Sequence, residues 1–186
     1  SGFFKILNDN KYATYHNTMP QEHLGGRINV IPQGNVLGGG TSINAQVYIR
    51  GGAEEYDQWN DQLRVNNDSV DWSWNSLLPY FKNMENNDRL NNSYHNQNGC
   101  LNVSDSSYIN DLTYDFVESV QSLGVPLTDD FNGISQKGVG FYQFMNKKGK
   151  RSSSAYAFIE KELNNKNLDL KLNSKIVKII IEKNIA

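Results

Sequence analysis

The stretch GNVLGGGTSINAQVYIRG, at residues 34–51, decides which fold this chain adopts. Three consecutive glycines, at residues 38–40, are followed at once by Thr41 and Ser42. Glycine has no Cβ, so its backbone can approach another molecule closely, and a Ser or Thr after such a turn commonly begins a helix. The free N–H groups at a helix start are a favoured place for phosphate. The stretch therefore predicts a helix start that contacts a nucleotide or cofactor.

The glycines match neither of the two common phosphate-binding motifs. No Lys-Ser or Lys-Thr pair follows them, so the stretch is not a P-loop. Gly38 and Gly40 supply the first two glycines of the dinucleotide-binding fingerprint, but the third position falls on Ile43. Because short glycine runs are more often plain turns, the pattern alone leaves both a plain turn and a cofactor contact open.

Length and composition predict a soluble, globular chain. Its 186 residues are 38% hydrophobic and 20% charged, which suits an ordinary domain with a buried core. The net charge of -2 gives no basis for a nucleic-acid partner. No apolar run approaches the ~18 residues of a membrane span. The single cysteine, Cys100, excludes an internal disulfide and a cysteine-based zinc site.

The two ends of the chain predict a fragment of a longer protein. The chain begins at Ser1 without Met or a targeting pattern, and it closes soon after the apolar run at residues 179–181. Such a run is typical of a buried strand, which needs a neighbouring strand in a sheet. The sequence does not determine the cellular compartment, and the cytoplasm is slightly favoured.

Residue patterns along the chain predict a mixed α/β fold. Residues 1–33 show no regular period, and residues 86–98 predict a long, exposed polar loop. Pro79 is expected in the first turn of its helix. The helices expected from apolar periodicity and capping residues span 52–63, 76–85, 110–123 and 152–163. The strands expected from alternation span 101–104, 139–145, 168–172 and 176–181.

Polar residues outside the glycine-rich stretch receive ordinary structural interpretations. His16 and His23 lack a neighbouring cluster of ligands, so they are not expected to bind a metal. Asp129 and Asp130 fit a turn rather than a catalytic pair. The acidic residues expected on a solvated helix face are Glu54, Glu55 and Asp57. The apolar stripe of the 110–123 helix consists of Leu112, Phe116, Val117, Val120 and Leu123.

The glycine-rich stretch resembles the first signature of the glucose–methanol–choline (GMC) flavin oxidoreductases. That signature sets small, glycine, apolar, asparagine and aromatic positions at fixed spacing. The matching residues are Gly34, Asn35, Val36, Leu37, Gly38, Gly39, Gly40, Thr41, Ser42, Ile43, Asn44, Tyr48, Gly51 and Asp57. Similar family segments include residues 72–82, 99–104, 129–143 and 151–158. The resemblance therefore covers nearly the whole chain, with Cys100 standing where the family usually has glycine.

The resemblance implies a partial FAD/NAD(P)-binding, Rossmann-like domain of the α/β class. In this family a substrate or cap domain interrupts the FAD-binding domain in sequence. Residues 1–59 would then belong to the FAD-binding domain and residues 60–165 largely to the inserted cap portion. Residues 166–186 would form strands where the chain returns to the FAD-binding domain.

The resemblance also implies which residues contact the cofactor, FAD. In the family the glycine-rich backbone approaches the pyrophosphate and ribityl chain, which here points to Val36 and Gly40. The residues expected near the edge of the isoalloxazine ring are Asn44, Ala45, Gln46 and Val47. Ile176 would offer backbone hydrogen bonds to the adenine. The family usually has basic residues where Gln33 and Asn35 stand, so this chain brings less positive charge to the diphosphate.

The implied activity is FAD-dependent oxidation of the CH–OH group of a small alcohol, as in alcohol or choline dehydrogenases and oxidases. A base takes the alcohol proton while hydride passes from carbon to flavin N5. No catalytic residue is assigned, because none of His16, His23 and His95 lies in a matching context. We expect residues 1–186 alone to hold FAD weakly, because the family's primary phosphate-binding unit lies outside them. The alternatives are a FAD-binding lyase of the same scaffold, similar to hydroxynitrile lyases, and a non-catalytic α/β fragment.

Overall fold

The computed structural model describes residues 5–6, 8–65 and 70–182. The described part contains helices and short strands, as the predicted α/β class requires. The helices are α1 (Ala53–Val65), α2 (Trp74–Met84) and α3 (Asp111–Ser122). The strands are β1 (Ala13–Asn17), β2 (Val30–Gly34), β3 (Glu85–Asn87), β4 (Leu101–Val103), β5 (Asn146–Lys147) and β6 (Lys150–Arg151). In these ranges every helix is too short or too polar to cross a lipid bilayer.

A hairpin of β1 and β2 leads into the glycine-rich stretch. The strands are antiparallel, with Ala13 opposite Gly34 and Tyr15 opposite Pro32. The prediction of irregular structure for residues 1–33 was therefore wrong. Val30 and Ile31 are 57% and 53% exposed, so the hairpin buries little apolar surface. Its strands therefore lack the alternation of apolar and polar residues that predicts a strand from sequence. Pro32 is tolerated because strand β2 pairs on one side only within the described residues.

The end of the glycine-rich stretch packs into the main apolar core. Tyr48 lies with Leu101, Val103 and Ala157, and Met145 packs against this cluster. Strands β3 and β4 are parallel and place Leu101 and Val103 in the core. The predicted strand at 101–104 is thus confirmed over three residues.

The predicted strand at residues 139–145 is reduced to isolated bridges. Val139 pairs with Leu127, and Phe144 pairs with both Val47 and Ser104. Two glycines interrupt the strand between these bridges. Gly138 has φ of 151°, and Gly140 lies so close to Thr128 that a Cβ there would overlap the Thr128 carbonyl oxygen. The prediction of one continuous strand was therefore wrong, although the alternating residues do reach the core.

Helices α1 and α2 pack through aromatic rings. Tyr56 stacks on Trp74 with ring centroids 5.8 Å apart, and Phe81 lies 5.8 Å from the same tyrosine ring. The predicted helix at 52–63 is confirmed, but α2 begins at Trp74, which places Pro79 inside the helix rather than in its first turn. The earlier start has a cause, because Oδ1 of Asp57 accepts the Trp74 N–H at 2.9 Å.

Helix α3 confirms the prediction of a helix but not that of its buried stripe. Asn110 caps the helix by accepting the N–H of Leu112 at 3.0 Å. Of the predicted stripe, Val117 is buried, whereas Leu112, Phe116 and Leu123 are 73%, 62% and 82% exposed. The periodicity was correct, but only Val117 and the half-buried Val120 are covered in the described structure, and the rest of the stripe faces outward.

The last third of the chain departs most from the predicted elements. The expected helix at 152–163 is a π-helical turn at Ala155–Ile159 followed by a 3-10 turn at Glu160–Glu162. The strands expected at 168–172 and 176–181 do not form, and Ile179, Ile180 and Ile181 are 65–69% exposed. A strand needs a hydrogen-bonding edge, and none of the described strands lies beside these residues.

Candidate cofactor-binding site

The glycine-rich turn is packed on one side and open on the other. Residues Gly39–Ser42 form one 3-10 turn rather than the expected longer helix, and Gly38 and Gly39 have φ of 88° and 54°. A Cβ at Gly34 would overlap the Gly39 carbonyl. A Cβ at Gly39 or Gly40 would meet no heavy atom within 4 Å. The turn therefore offers a bare backbone face of the kind a bulky cofactor can approach, which fits the predicted role.

The asparagine that follows the glycines is fixed by two donors. Oδ1 of Asn44 accepts the backbone N–H of Gln46 at 3.0 Å and Nη1 of Arg151 at 2.8 Å. Gln46 has a left-handed φ of 68°, and its side chain donates to the Met145 carbonyl at 3.1 Å. The Met145 N–H returns a bond to the Gln46 carbonyl at 2.7 Å. The loop is thus held in one conformation despite an unfavourable φ.

The structure brings together six of the seven predicted site residues in one continuous loop. Those that lie half-buried are Val36, Asn44, Gln46 and Val47, and those that are exposed are Gly40 and Ala45. Ile176 is not brought to them. It is 81% exposed, and within the described residues no hydrogen bond joins it to the loop.

The loop ends at Arg50, which carries a buried charge. Its Nη2 lies 2.5 Å from Oε2 of Glu85 and 3.2 Å from the Tyr48 hydroxyl, and its Nη1 donates to the Tyr94 carbonyl at 2.8 Å. The Nε of Arg50 has no partner among the described residues, and the guanidinium lies 5.4 Å from the Phe81 ring centroid. The aromatic face contributes a cation–π attraction to the buried charge.

Glu85 also binds a histidine that the sequence analysis left without a role. Nδ1 of His95 lies 2.7 Å from Oε1 of Glu85, and its Nε2 lies 3.0 Å from Oδ2 of Asp130. His95 and Glu85 are fully buried. The prediction of an exposed loop over residues 86–98 was therefore wrong at Asn87 and His95, which are buried, although residues 91–93 are exposed. Asp130 does form the expected turn, accepting the Asn132 N–H at 2.9 Å, but it also pairs with His95.

Buried amides extend this charged cluster toward the core. Asn87 donates to Oε1 of Glu85 at 2.7 Å, and Gln143 donates to Asn87 at 3.1 Å and to Asp105 at 2.7 Å. No local pattern could have revealed the bonds of Gln143, because Asn87 and Asp105 lie 56 and 38 positions away in the sequence. We name Arg50, Glu85, His95 and Asp130 the buried charge cluster.

Asn132 ties the buried charge cluster to the backbone of the loop. Its Oδ1 accepts the Arg50 N–H at 2.7 Å, and its Nδ2 donates to the Tyr48 carbonyl at 3.0 Å. Gln136 adds a bond to the Arg50 carbonyl at 2.7 Å. The cluster thus anchors the end of the glycine-rich stretch at Tyr48 and Arg50 rather than the glycine turn itself.

The pKa values of His95 and Asp130 shift in opposite directions. Burial disfavours the charged ring of His95, but its hydrogen bonds with Asp130 and Glu85 outweigh burial and raise its pKa above the ordinary 6.5. Burial acts against the ionised carboxyl of Asp130, yet the bonds from His95 and from the Asn132 N–H hold its pKa below the ordinary 3.8. Both shifts favour an ion pair in the folded state.

The cluster predicts a stability maximum between about pH 4 and pH 6.5. The contribution of His95 is fully present below its unfolded pKa and is lost as pH rises through the higher folded pKa. That of Asp130 is fully present above its unfolded pKa and is lost as pH falls through the lower folded pKa. Urea unfolding at a series of pH values checks this.

A matched pair of variants isolates the contribution of His95 to the pH dependence of stability. His95→Asn should remove the alkaline fall in stability, whereas His16→Asn, at an exposed position of β1, should keep it. An alkaline slope that persists in the His95 variant would contradict the assignment of this titration to the cluster.

Comparisons with known proteins agree on one family. The GMC oxidoreductase profile matches residues 12–186. An alcohol dehydrogenase [acceptor] from Pseudomonas putida is 38% identical over 182 residues, which cover 97% of this chain and 32% of that protein. Mitochondrial choline dehydrogenase from Mus musculus is 33% identical over 176 residues, covering 95% of this chain and 29% of the enzyme. The chain thus spans about a third or less of the length of these relatives.

Solved structures give the same fold. Pyridoxine 4-oxidase from Mesorbium loti superposes with a TM-score of 0.78 at 24% identity, over 89% of this chain and 32% of that one. An FAD-dependent oxidoreductase from Chaetomium thermophilum gives a TM-score of 0.73 at 25% identity, over 82% of this chain and 28% of that one. Since the family profile matches most of the chain, this protein belongs to the GMC oxidoreductase family.

Proposed function

We propose that this chain is part of a FAD-dependent oxidoreductase that acts on the CH–OH group of a small alcohol or a choline-like donor. The observation that carries the proposal is the open glycine face at Gly39 and Gly40, followed directly by the fixed Asn44. Relatives named as an alcohol dehydrogenase, an alcohol oxidase and choline dehydrogenases support the substrate class. A neighbour named as an FAD-dependent oxidoreductase supports the cofactor.

In this proposal the residues of this chain bind FAD and orient it. When bound, FAD supplies the acceptor for the hydride. Val36 and Gly40 bring backbone to the diphosphate or ribityl chain, and the open face at Gly40 leaves room for it. The residues proposed to flank the flavin ring are Asn44, Ala45, Gln46 and Val47. Ile176 is proposed to bind the adenine through its backbone.

The proposal includes a division of the chain. Residues 1–59 and 166–186 are assigned to the FAD-binding domain, and residues 60–165 to the inserted cap portion. Asn132 and Arg151, from the inserted portion, bond to the loop that ends at Arg50. We infer that the insertion supports the cofactor-facing loop from behind.

Replacing Gly40 by Ala tests the proposed cofactor contact. Gly40 has no left-handed φ and its Cβ would point into open space, so the fold should tolerate the change within about 0.5 kcal/mol. A methyl group in a filled contact typically costs about 1–3 kcal/mol, so FAD should bind roughly 5- to 150-fold more weakly. Flavin fluorescence titration of the full-length polypeptide measures the affinity, and thermal unfolding of the apoprotein measures the fold.

Gly52→Ala is the matched control for that experiment. Its Cβ would meet only flexible side-chain ends, 3.4 Å from Gln136 and 4.0 Å from Glu55. It should leave FAD affinity unchanged and cost about 1 kcal/mol of stability at most, because Gly52 directly precedes α1 at the N-cap position, where Ala is less favourable than Gly. Wild-type affinity in the Gly40 variant, or a wild-type protein that binds no FAD, would overturn the proposed contact.

A further inference from the structure

Arg151 reaches the glycine-rich loop from the end of a separate hairpin. Strands β5 and β6 pair Asn146 with Arg151, which places Arg151 at the base of the turn. Its Nη1 donates to the Thr41 carbonyl at 3.1 Å and to Oδ1 of Asn44 at 2.8 Å. One guanidinium nitrogen thus bridges the glycine turn and the asparagine, although the residues are separated by more than 100 positions.

The residues after Arg151 hold the same turn. The Ser154 N–H donates to Oγ1 of Thr41 at 2.9 Å, and Oγ of Ser154 donates to the Gly38 carbonyl at 3.2 Å. A Cβ at Gly38 would stand 3.2 Å from the Ala155 Cβ. The packed side of the glycine turn is therefore built from residues 151–155, on the side away from its bare face at Gly39 and Gly40.

The bonding of Asn44 decides which end of its amide is available. Both of its neighbours, the Gln46 N–H and the Arg151 guanidinium, are donors, so both must face Oδ1. Within the described part of the chain, Nδ2 has no acceptor, and the residue is half-buried. The amide thus presents its two N–H donors outward. A flavin ring carries carbonyl oxygens and ring nitrogens that accept such donors.

We propose that Arg151 is a positioning residue, which turns the Nδ2 donor of Asn44 toward the flavin by binding Oδ1. The inference rests on the proposed FAD function. Without Arg151 the amide keeps only the Gln46 N–H as a partner, and the carbonyl of Thr41 loses its side-chain donor. Arg151 acts through Asn44, and it need not touch the cofactor.

Arg151→Met tests this role in the full-length polypeptide. Loss of a charge-assisted hydrogen bond should weaken FAD binding about 10- to 100-fold in a fluorescence titration. Asn44→Ala should weaken binding to a similar degree. If Arg151 acts through Asn44, the double variant should bind FAD no more weakly than Asn44→Ala alone. Lys150→Met, at the exposed neighbouring position, should bind like wild type.

Arg151→Lys keeps the charge and tests the geometry. Lysine cannot reproduce the planar donor that bridges Thr41 and Asn44, so its FAD affinity should fall between those of wild type and Arg151→Met. Wild-type affinity in either Arg151 variant overturns the inference, and so do losses that add in the double variant. Absence of FAD binding in the wild type overturns the proposed function as well. Thermal unfolding of each apoprotein reports the fold separately.

Discussion

Replacing Glu85 with Gln is expected to destabilise the protein by about 3–5 kcal/mol. The side chains of Arg50 and Glu85 are 2% and 0% exposed, and the carboxylate binds Arg50 through one oxygen and His95 through the other. Glutamine keeps the volume but removes the charge, which leaves a buried guanidinium without its counter-ion. Removing one partner of a buried pair costs far more than the pair contributes, because the other charge stays desolvated. Urea unfolding near pH 6 measures the loss.

Glu54→Gln serves as the control for that experiment. Glu54 is an exposed residue in the first turn of α1, so the same chemical change should shift the free energy of unfolding by no more than about 0.5 kcal/mol. A Glu85 variant within about 1 kcal/mol of wild type would contradict the account of the buried charge cluster, because isolated surface ion pairs contribute only that much.

Replacing Gly140 with Ala is expected to destabilise the protein by about 1–3 kcal/mol or more. A Cβ at this position would overlap the Thr128 carbonyl oxygen, which is backbone and cannot rotate away. The two segments cannot separate freely, because the Thr128 N–H bonds to the Val139 carbonyl and the Val139 N–H bonds to the Pro126 carbonyl, each at 2.9 Å. Displacing Thr128 would also disturb Asp130, two residues further on.

Chemical denaturation of Gly140→Ala beside Gly40→Ala, both as apoproteins, checks this prediction. Both substitutions add one methyl group, but a Cβ at residue 40 meets no heavy atom within 4 Å. Equal stability of the two variants would mean that Thr128 and Gly140 are not in close contact in solution. A loss confined to Gly140→Ala supports the close approach.

Elements with strong local signals could be predicted from the sequence. Helix α3 combined a capping Asn110 with a regular apolar period, and α1 began with acidic residues in its first turn. The cofactor contacts assigned within residues 36–47 came from the resemblance to a family signature and stay predictions. For Ile176 the adenine contact remains a prediction.

Other features depended on distant partners, which local patterns cannot report. His95 stood in an Asn-rich stretch, and its burial follows from Glu85 and Asp130, 10 and 35 positions away. The outward stripe of α3 shows that periodicity identifies a face but not what covers it. The contacts of Arg151 were hidden for the same reason, because its partners Thr41 and Asn44 lie 110 and 107 positions away in the sequence.

Anaerobic addition of a primary alcohol or choline to the full-length polypeptide tests the proposed FAD-dependent oxidation. We expect the purified protein to carry flavin absorbance and one of these substrates to bleach it, and we expect Gly40→Ala protein to hold less bound flavin. Bound flavin that none of these alcohols reduces would favour a lyase of the same scaffold. A protein that carries no flavin, even after incubation with FAD, would contradict the account.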